Sequence, residues 1–258
     1  MLKTRVALIT GSTQGIGLAV ARKLATAGLR VIIHGIEGVS DGERLADEIG
    51  EKRFVGYIRA DLSNSDEALE LIERAEKLFG GVDILVNNAG IQHVAPIEEF
   101  TLAKWDKVLS INLTAPFLLM KACLGGMRAR GWGRIINVAS VHGLIGSANK
   151  SAYLAAKHGL VGLTKGVALE MATSGVTANC ICPGFTDTPI LEAQIKAKAA
   201  AVGGSYQEGV QELLREKQPN MTLLPPAQIA AAVEFLCGDD AAGITGIAMP
   251  IDGGWTAQ

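Results

Sequence analysis

Apolar residues in this chain come in short, nearly unbroken runs, separated by longer stretches of mixed character. Runs at 5–10, 30–34, 53–60, 82–87, 133–139, 176–181 and 247–250 are rich in β-branched and other apolar side chains, as expected of strands. They are apolar almost throughout, which fits strands covered on both faces. Between them, at 15–27, 66–79 and 151–172 for example, apolar positions recur at helical spacing. Strands alternating with helices of this length predict βαβ units and a parallel sheet with helices on both faces. No internal repeat or low-complexity linker breaks the pattern. Residues 1–258 therefore read as a single doubly wound α/β domain.

Residues 188–226 depart from the alternation. Two helical patches, 190–201 and 207–217, flank Gly203-Gly204, and the stretch contributes no strand. It follows a strand at the sheet end where ligands bind in such folds. We read it as a lid over a site, since long excursions of this kind are commonly functional.

Composition narrows the classes. The chain has 258 residues, is 48% hydrophobic and carries a net charge of −2 with no Lys/Arg block. That argues against nucleic acid and anionic membranes as partners. Few residues precede the first apolar run, so a signal peptide is not expected, and no apolar stretch reads as a membrane span. Cys123, Cys180, Cys182 and Cys237 form no CxxC pair and no Cys/His cluster. We expect reduced cytoplasmic thiols, partly in the core, and no metal site.

Thr10-Gly11-Ser12-Thr13-Gln14-Gly15-Ile16-Gly17 follows the first strand and opens the first helix. Glycines there permit a tight turn and let backbone amides approach a pyrophosphate at the helix N-terminus. The spacing is GxxxGxG. Asn87-Asn88-Ala89-Gly90 ends the fourth strand, beside the first in a doubly wound order. Further on, Ser140 ends the fifth strand, thirteen positions before Tyr153, and Tyr153 and Lys157 stand i and i+4 on one helix face. On an ideal helix Lys150 falls within about 60° of them. A phenol normally titrates near 10, and a neighbouring ammonium favours the phenolate.

Together with Asn112, Pro183-Gly184 and Asp252-Gly253-Gly254, these motifs in this order resemble the short-chain dehydrogenase/reductase family, from residue 4 to the C-terminus. The resemblance implies a Rossmann-type sheet and a nicotinamide dinucleotide cofactor. That cofactor would be held by Gly11, Ser12, Thr13, Gln14, Gly15, Ile16, Gly17, Gly35, Asp61, Leu62, Asn88, Ala89, Gly90, Tyr153, Lys157, Pro183, Gly184 and Thr188, with the pyrophosphate on the glycine-rich turn. It also implies Tyr153 as proton acceptor, Lys157 as the cation tuning it, Ser140 on the substrate oxygen, and Asn112 anchoring a water that leads the proton out. Members commonly form homotetramers through the Tyr-Lys helix and the C-terminal segment, and the apolar end around Trp255 suits burial at such a contact.

A closer likeness is to the bacterial branch acting on D-3-hydroxybutyrate. It is carried by the stretch from Ile91-Gln92-His93 to Ile97-Glu98, and by His142-Gly143-Leu144, Lys150-Ser151-Ala152-Tyr153, Lys217-Gln218-Pro219 and Gly254-Trp255-Thr256-Ala257-Gln258. This implies that Gln92, His142, Lys150 and Gln194 hold the carboxylate of a small hydroxy acid, with an apolar pocket near Phe185, Leu191 and Trp255. Phe185 is a departure, since that branch usually has tryptophan there. We expect NAD as cofactor. His34-Gly35-Ile36-Glu37-Gly38 offers no Lys or Arg for a 2′-phosphate, and Glu37 either reaches the ribose hydroxyls or repels phosphate. Alternatives are a 3-oxoacyl-thioester reductase of the same family and a non-catalytic dinucleotide-binding sensor. His93, His158, Lys165, Trp105 and Trp132 read as packing or solvated surface.

Overall fold

Successive residues of a strand point to opposite faces, and here both faces are apolar. In β1, Val6–Ile9, Val6 and Leu8 join one buried cluster while Ala7 and Ile9 join another. Neither face can be left in water, so helices must cover both. The computed structural model describes residues 5–257. The remaining strands are β2 (Arg30–Gly35), β3 (Val55–Arg59), β4 (Ile84–Asn87), β5 (Gly133–Val138), β6 (Val176–Pro183) and β7 (Ala248–Ile251). All pair in parallel in the order β3-β2-β1-β4-β5-β6-β7. Each strand falls on one of the apolar runs read from the sequence.

The helices are α1 (Gly15–Thr26), α2 (Val39–Ile49), α3 (Ser65–Phe79), α4 (Leu102–Leu109), α5 (Ala115–Ala129), α6 (Ser151–Glu170), α7 (Glu192–Ala201), α8 (Tyr206–Lys217) and α9 (Pro226–Cys237). Val20, Leu24, Ile229 and Val233 from α1 and α9 pack on one sheet face. Leu71, Leu119, Met120 and Val167 from α3, α5 and α6 pack on the other. β1 is bonded to both β2 and β4. The winding reverses between β1 and β4, which opens a crevice at their carboxyl ends.

Two expectations change. The run Leu102–Ala129 has the length and hydropathy of a membrane span, which the sequence reading did not recognise. It joins α4 and α5 through a π-type turn, Ser110–Thr114. Its buried side, including Ala115, Leu119, Met120 and Cys123, packs with Leu85 and Ile135 of the sheet, so we assign it to the layer covering that face. The cysteines were expected to be partly core, and all four are buried and free.

α7 and α8 form the excursion anticipated between β6 and β7. Ser205 and Glu208 close a capping box at the start of α8. Ile195, Val210, Leu213 and Leu214 from these helices pack with Leu191, Phe185, Val141 and Trp255 in a separate cluster. The chain rejoins the body earlier than residue 226, where Leu224 forms an isolated parallel bridge with Thr186. The expected subunit contact at Trp255 loses its argument here. Its ring is covered by its own chain, 4.6 Å from the Phe185 ring and 5.4 Å from that of His142.

Candidate active site

A cleft of about 440 Å³ lies at the carboxyl ends of β1, β4, β5 and β6 and runs beneath α7. At one end the backbone after β1 turns sharply. Gly11 has φ +57°, and a Cβ there would stand 2.8 Å from the Cα of Ala89, so only glycine fits. Asn88 fastens the turn from the next strand. Its Nδ2 donates to the carbonyls of Thr10 and Gly11 at 2.9 and 2.8 Å. Thr13, Gln14, Gly15 and Ile16 line the cleft where α1 begins. Gln14, the residue before α1, makes no side-chain cap, so the first amides of the helix remain available to an anion.

His34, which the motif reading passed over, underpins this turn. It is buried, its Nδ1 accepts from the amide of Gly11 at 3.1 Å and its Nε2 lies 3.1 Å from the carbonyl of Ala60. Since Gly11 N–H donates to Nδ1, the proton sits on Nε2 and donates to Ala60. Burial pushes the pKa down from 6.5 to about 4. The unfolded chain takes up this proton below pH 6.5 and the native chain only near pH 4. The stability linked to neutral His34 is therefore full above pH 6.5 and is lost as pH falls through about 4. We expect unfolding free energy, followed by urea titration between pH 7 and 4, to fall by roughly 3 kcal/mol on account of this group. His34→Asn should flatten that acid limb by about one proton. An unchanged slope would dissociate His34 from it.

Beside β2, Glu37 accepts from the Thr13 hydroxyl at 2.8 Å through Oε1, while its Oε2 is buried without a partner. Glu37 lines the cleft. A Cβ on Gly35 would collide with that carboxylate, so a glycine at the strand end admits Glu37 in place of an acid on the strand itself. This orphaned oxygen, the glycine turn and the open helix end together fit the ribose and pyrophosphate of a dinucleotide.

At the other end, β5 delivers Ser140 and a short 3₁₀ turn, Val141–Gly143. Ser140 Oγ accepts from the His142 amide at 3.1 Å and lies 3.3 Å from His142 Nδ1. The imidazole packs between the Tyr153 and Trp255 rings, with centroids at 6.0 and 5.4 Å. Its Nε2 is buried and has no partner. Burial, followed by the positive charges of Lys150 and Lys217, holds His142 down to about 3, so it is a neutral donor or acceptor at physiological pH.

Lys157 reaches across from α6, and its Nζ donates to the carbonyl of Val138 at 2.7 Å. It lies 5.6 Å from the centre of the Tyr153 ring. The expected lowering of the phenol is not found. Burial pushes Tyr153 up to about 12, with the hydrogen bond from Ser140 opposing, and burial lowers Lys157 to about 8. In both groups desolvation outweighs the opposing influences, the Ser140 hydrogen bond at Tyr153 and the Cys180 and Cys182 thiols at Lys157.

Lys150 precedes α6 and lies outside the helix, contrary to the ideal-helix placement, with φ −129° and ψ 34°. It is nonetheless buried, and its Nζ donates to Gln194 Oε1 at 3.1 Å. Burial and then Lys217 lower Lys150 to about 8. Gln92 also lines the cleft, as do Phe185, Leu191 and Trp255. All four segments read as an anion clamp thus reach one cavity.

The remaining anticipated residues divide. Gly35, Asp61, Leu62, Asn88, Ala89, Gly90, Pro183, Gly184 and Thr188 line the cleft. Ser12, Gly17 and Asn112 do not. The Ser12 hydroxyl donates to Ile9 and accepts from the His34 amide, while Gly17 lets α1 pack against the Gly11 carbonyl and Asn88. Asn112 sits in the π-type turn and makes two hydrogen bonds with the backbone of Ile91, at 2.9 and 2.8 Å. Lys107, Ile36 and Ile111 at the rim were missed, since no motif marks them. Trp132 is packing, sandwiched by the guanidinium groups of Arg5 and Arg134 at 4.1 and 4.4 Å.

Such a crevice, with Ser140, Tyr153 and Lys157 at one end and a glycine turn opening a helix at the other, fits a dinucleotide-dependent oxidoreductase. The short chain dehydrogenase model matches residues 5–199, and the chain belongs to that family. It is 46% identical over 258 residues, the whole of both chains, to a D-beta-hydroxybutyrate dehydrogenase of Cupriavidus necator. It is 45% identical to one from Rhizobium meliloti, covering 99% of this chain and all of that one. A 3-oxoacyl-[acyl-carrier-protein] reductase of Aquifex aeolicus is 36% identical over 98% of each chain.

Proposed function

We propose that the protein interconverts D-3-hydroxybutyrate and acetoacetate with NAD, and the observation that carries this reading is the buried, unpartnered Nε2 of His142 beside the Lys150–Gln194 pair. Buried polar atoms without partners are uncommon in native structures, and a carboxylate accepting from imidazole, ammonium and amide together completes this set. Charge-assisted bonds of that kind are the strong ones. An acyl thioester offers no such anion, which places the thioester reductase second. The small apolar wall of Phe185, Leu191 and Trp255 suits a short acid.

The bound nicotinamide supplies the hydride acceptor. Tyr153 takes the hydroxyl proton, Ser140 holds the reacting oxygen, and Lys157 offsets the phenolate charge. Gly11, Thr13, Gln14, Gly15 and Ile16 hold the phosphates, and Asn112 shapes the Ile91 backbone at the proton's way out. Because Gln194 stands on α7, a bound carboxylate also draws α7 and α8 down as a lid and excludes water.

The reading is tested by Lys150→Ala. We expect kcat/KM for D-3-hydroxybutyrate to fall at least about tenfold, and that for 2-butanol to change little. Equal losses on both substrates would remove the clamp. We also propose a soluble cytoplasmic homotetramer. The assembly rests on the resemblance to a family whose members commonly pair through the Tyr-Lys helix and the C-terminal segment. Light scattering at micromolar concentration should give the tetramer mass, and a monomer would refute it.

A further inference from the structure

Asn149 has φ +64°, a conformation that disfavours most side chains other than glycine and asparagine. Its side chain is exposed and no hydrogen bond is assigned to it, so the residue matters through its backbone. The left-handed turn falls immediately before Lys150, which keeps extended φ, and the Lys150 carbonyl accepts from the Leu154 amide at 2.8 Å as α6 starts. Lys150 stands outside α6 by its own φ and ψ, and the left-handed residue before it sets the direction from which the chain enters it. The Lys150 side chain turns inward, buried, to reach Gln194 at 3.1 Å. The carbonyl of Asn149 also accepts from the Ala95 amide at 3.0 Å. That bond pins the loop after β4 that carries Gln92. One backbone unit is therefore joined to two segments that line the cleft.

We propose that Asn149 is a positioning and specificity residue for anionic substrates, its left-handed backbone holding Lys150 and, through Ala95, the Gln92 loop in register around the carboxylate. This rests on the carboxylate-clamp reading above. Backbone freedom, not the amide side chain, is the requirement, so substitutions should rank by their tolerance of positive φ.

The experiment compares Asn149→Gly, Asn149→Ala and Asn149→Val with Lys150→Ala, each on D-3-hydroxybutyrate and on 2-butanol. Asn149→Gly should keep KM for the acid within about twofold, because glycine adopts this φ freely. Asn149→Val should raise KM for the acid about tenfold with kcat much less affected, and leave the alcohol unchanged, since a β-branched residue is an outlier at this φ. Asn149→Ala should fall between them and serves if the valine variant does not fold. Equal KM values in all three variants, equal damage by glycine and valine, or equal losses on acid and alcohol would each overturn the proposal. If Lys150→Ala itself treats acid and alcohol alike, the clamp reading fails; if it discriminates while Asn149→Val does not, only the role of Asn149 fails.

Discussion

Tyr153→Phe is expected to abolish turnover while leaving NAD bound. The phenol oxygen is the proposed proton acceptor, and removing a general base typically costs a factor of about 100 to 10,000. The groups beside it are engaged elsewhere or weakly basic. Lys157 Nζ is committed to the Val138 carbonyl at 2.7 Å, His142 is held neutral with its pKa near 3, and Ser140 is already engaged with His142. The phosphate turn at Gly11 and Asn88 is built on other strands, so the dissociation constant for NAD should stay within about threefold. Retention of more than about a third of wild-type kcat would remove Tyr153 from the reaction. Burial pushes the phenol up to about 12, which sharpens the expectation. Activity at neutral pH requires the phenol's pKa to fall once cofactor occupies the cleft, so the wild-type kcat profile should show a group titrating well below 12 and the Phe variant should lack it.

The sheet was legible because burial on both faces keeps most strand positions apolar: β1 is wholly so, and β2 and β4 carry polar side chains only at or next to their ends, Arg30, His34 and Asn87. The site's inventory was legible for a different reason. Glycine turns, Asn87-Asn88 and the Tyr-Lys pair recur at spacings that few other folds use. What escaped is what depends on three-dimensional surroundings. Helical spacing put Lys150 on the face of Tyr153, but its own backbone, φ −129° and ψ 34°, takes it off the helix. Charge arithmetic lowered Tyr153, but the depth of the ring decides the opposite sign. Ser12 looked like a phosphate ligand in the motif, and its hydroxyl is consumed by Ile9 and the His34 amide. His34 itself carries no spacing signal, being one polar residue at the end of an apolar strand.

Glu37 was the open case, able to bind ribose or merely repel phosphate, and its geometry yields the second large prediction. NAD should exceed NADP in kcat/KM by about a hundredfold or more, since a site built for a hydroxyl rejects an analogue that leaves its polar groups unpaired. Oε1 is held by the Thr13 hydroxyl at 2.8 Å, while Oε2 is buried and unpartnered. A ribose diol donates to that oxygen. A 2′-phosphate brings negative charge against it, and like charges juxtaposed at an interface cost several kcal/mol. Relief would need a cation, and Arg44 is turned to Asp41 at 3.4 Å on the surface. Glu37→Gln removes the repulsion and weakens the diol contact together, so the NAD/NADP ratio should drop at least about tenfold from both sides. Comparable kcat/KM for the two cofactors in the wild-type enzyme would show that Glu37 reads neither, and a ratio unchanged by Glu37→Gln would place discrimination on other residues of the cleft.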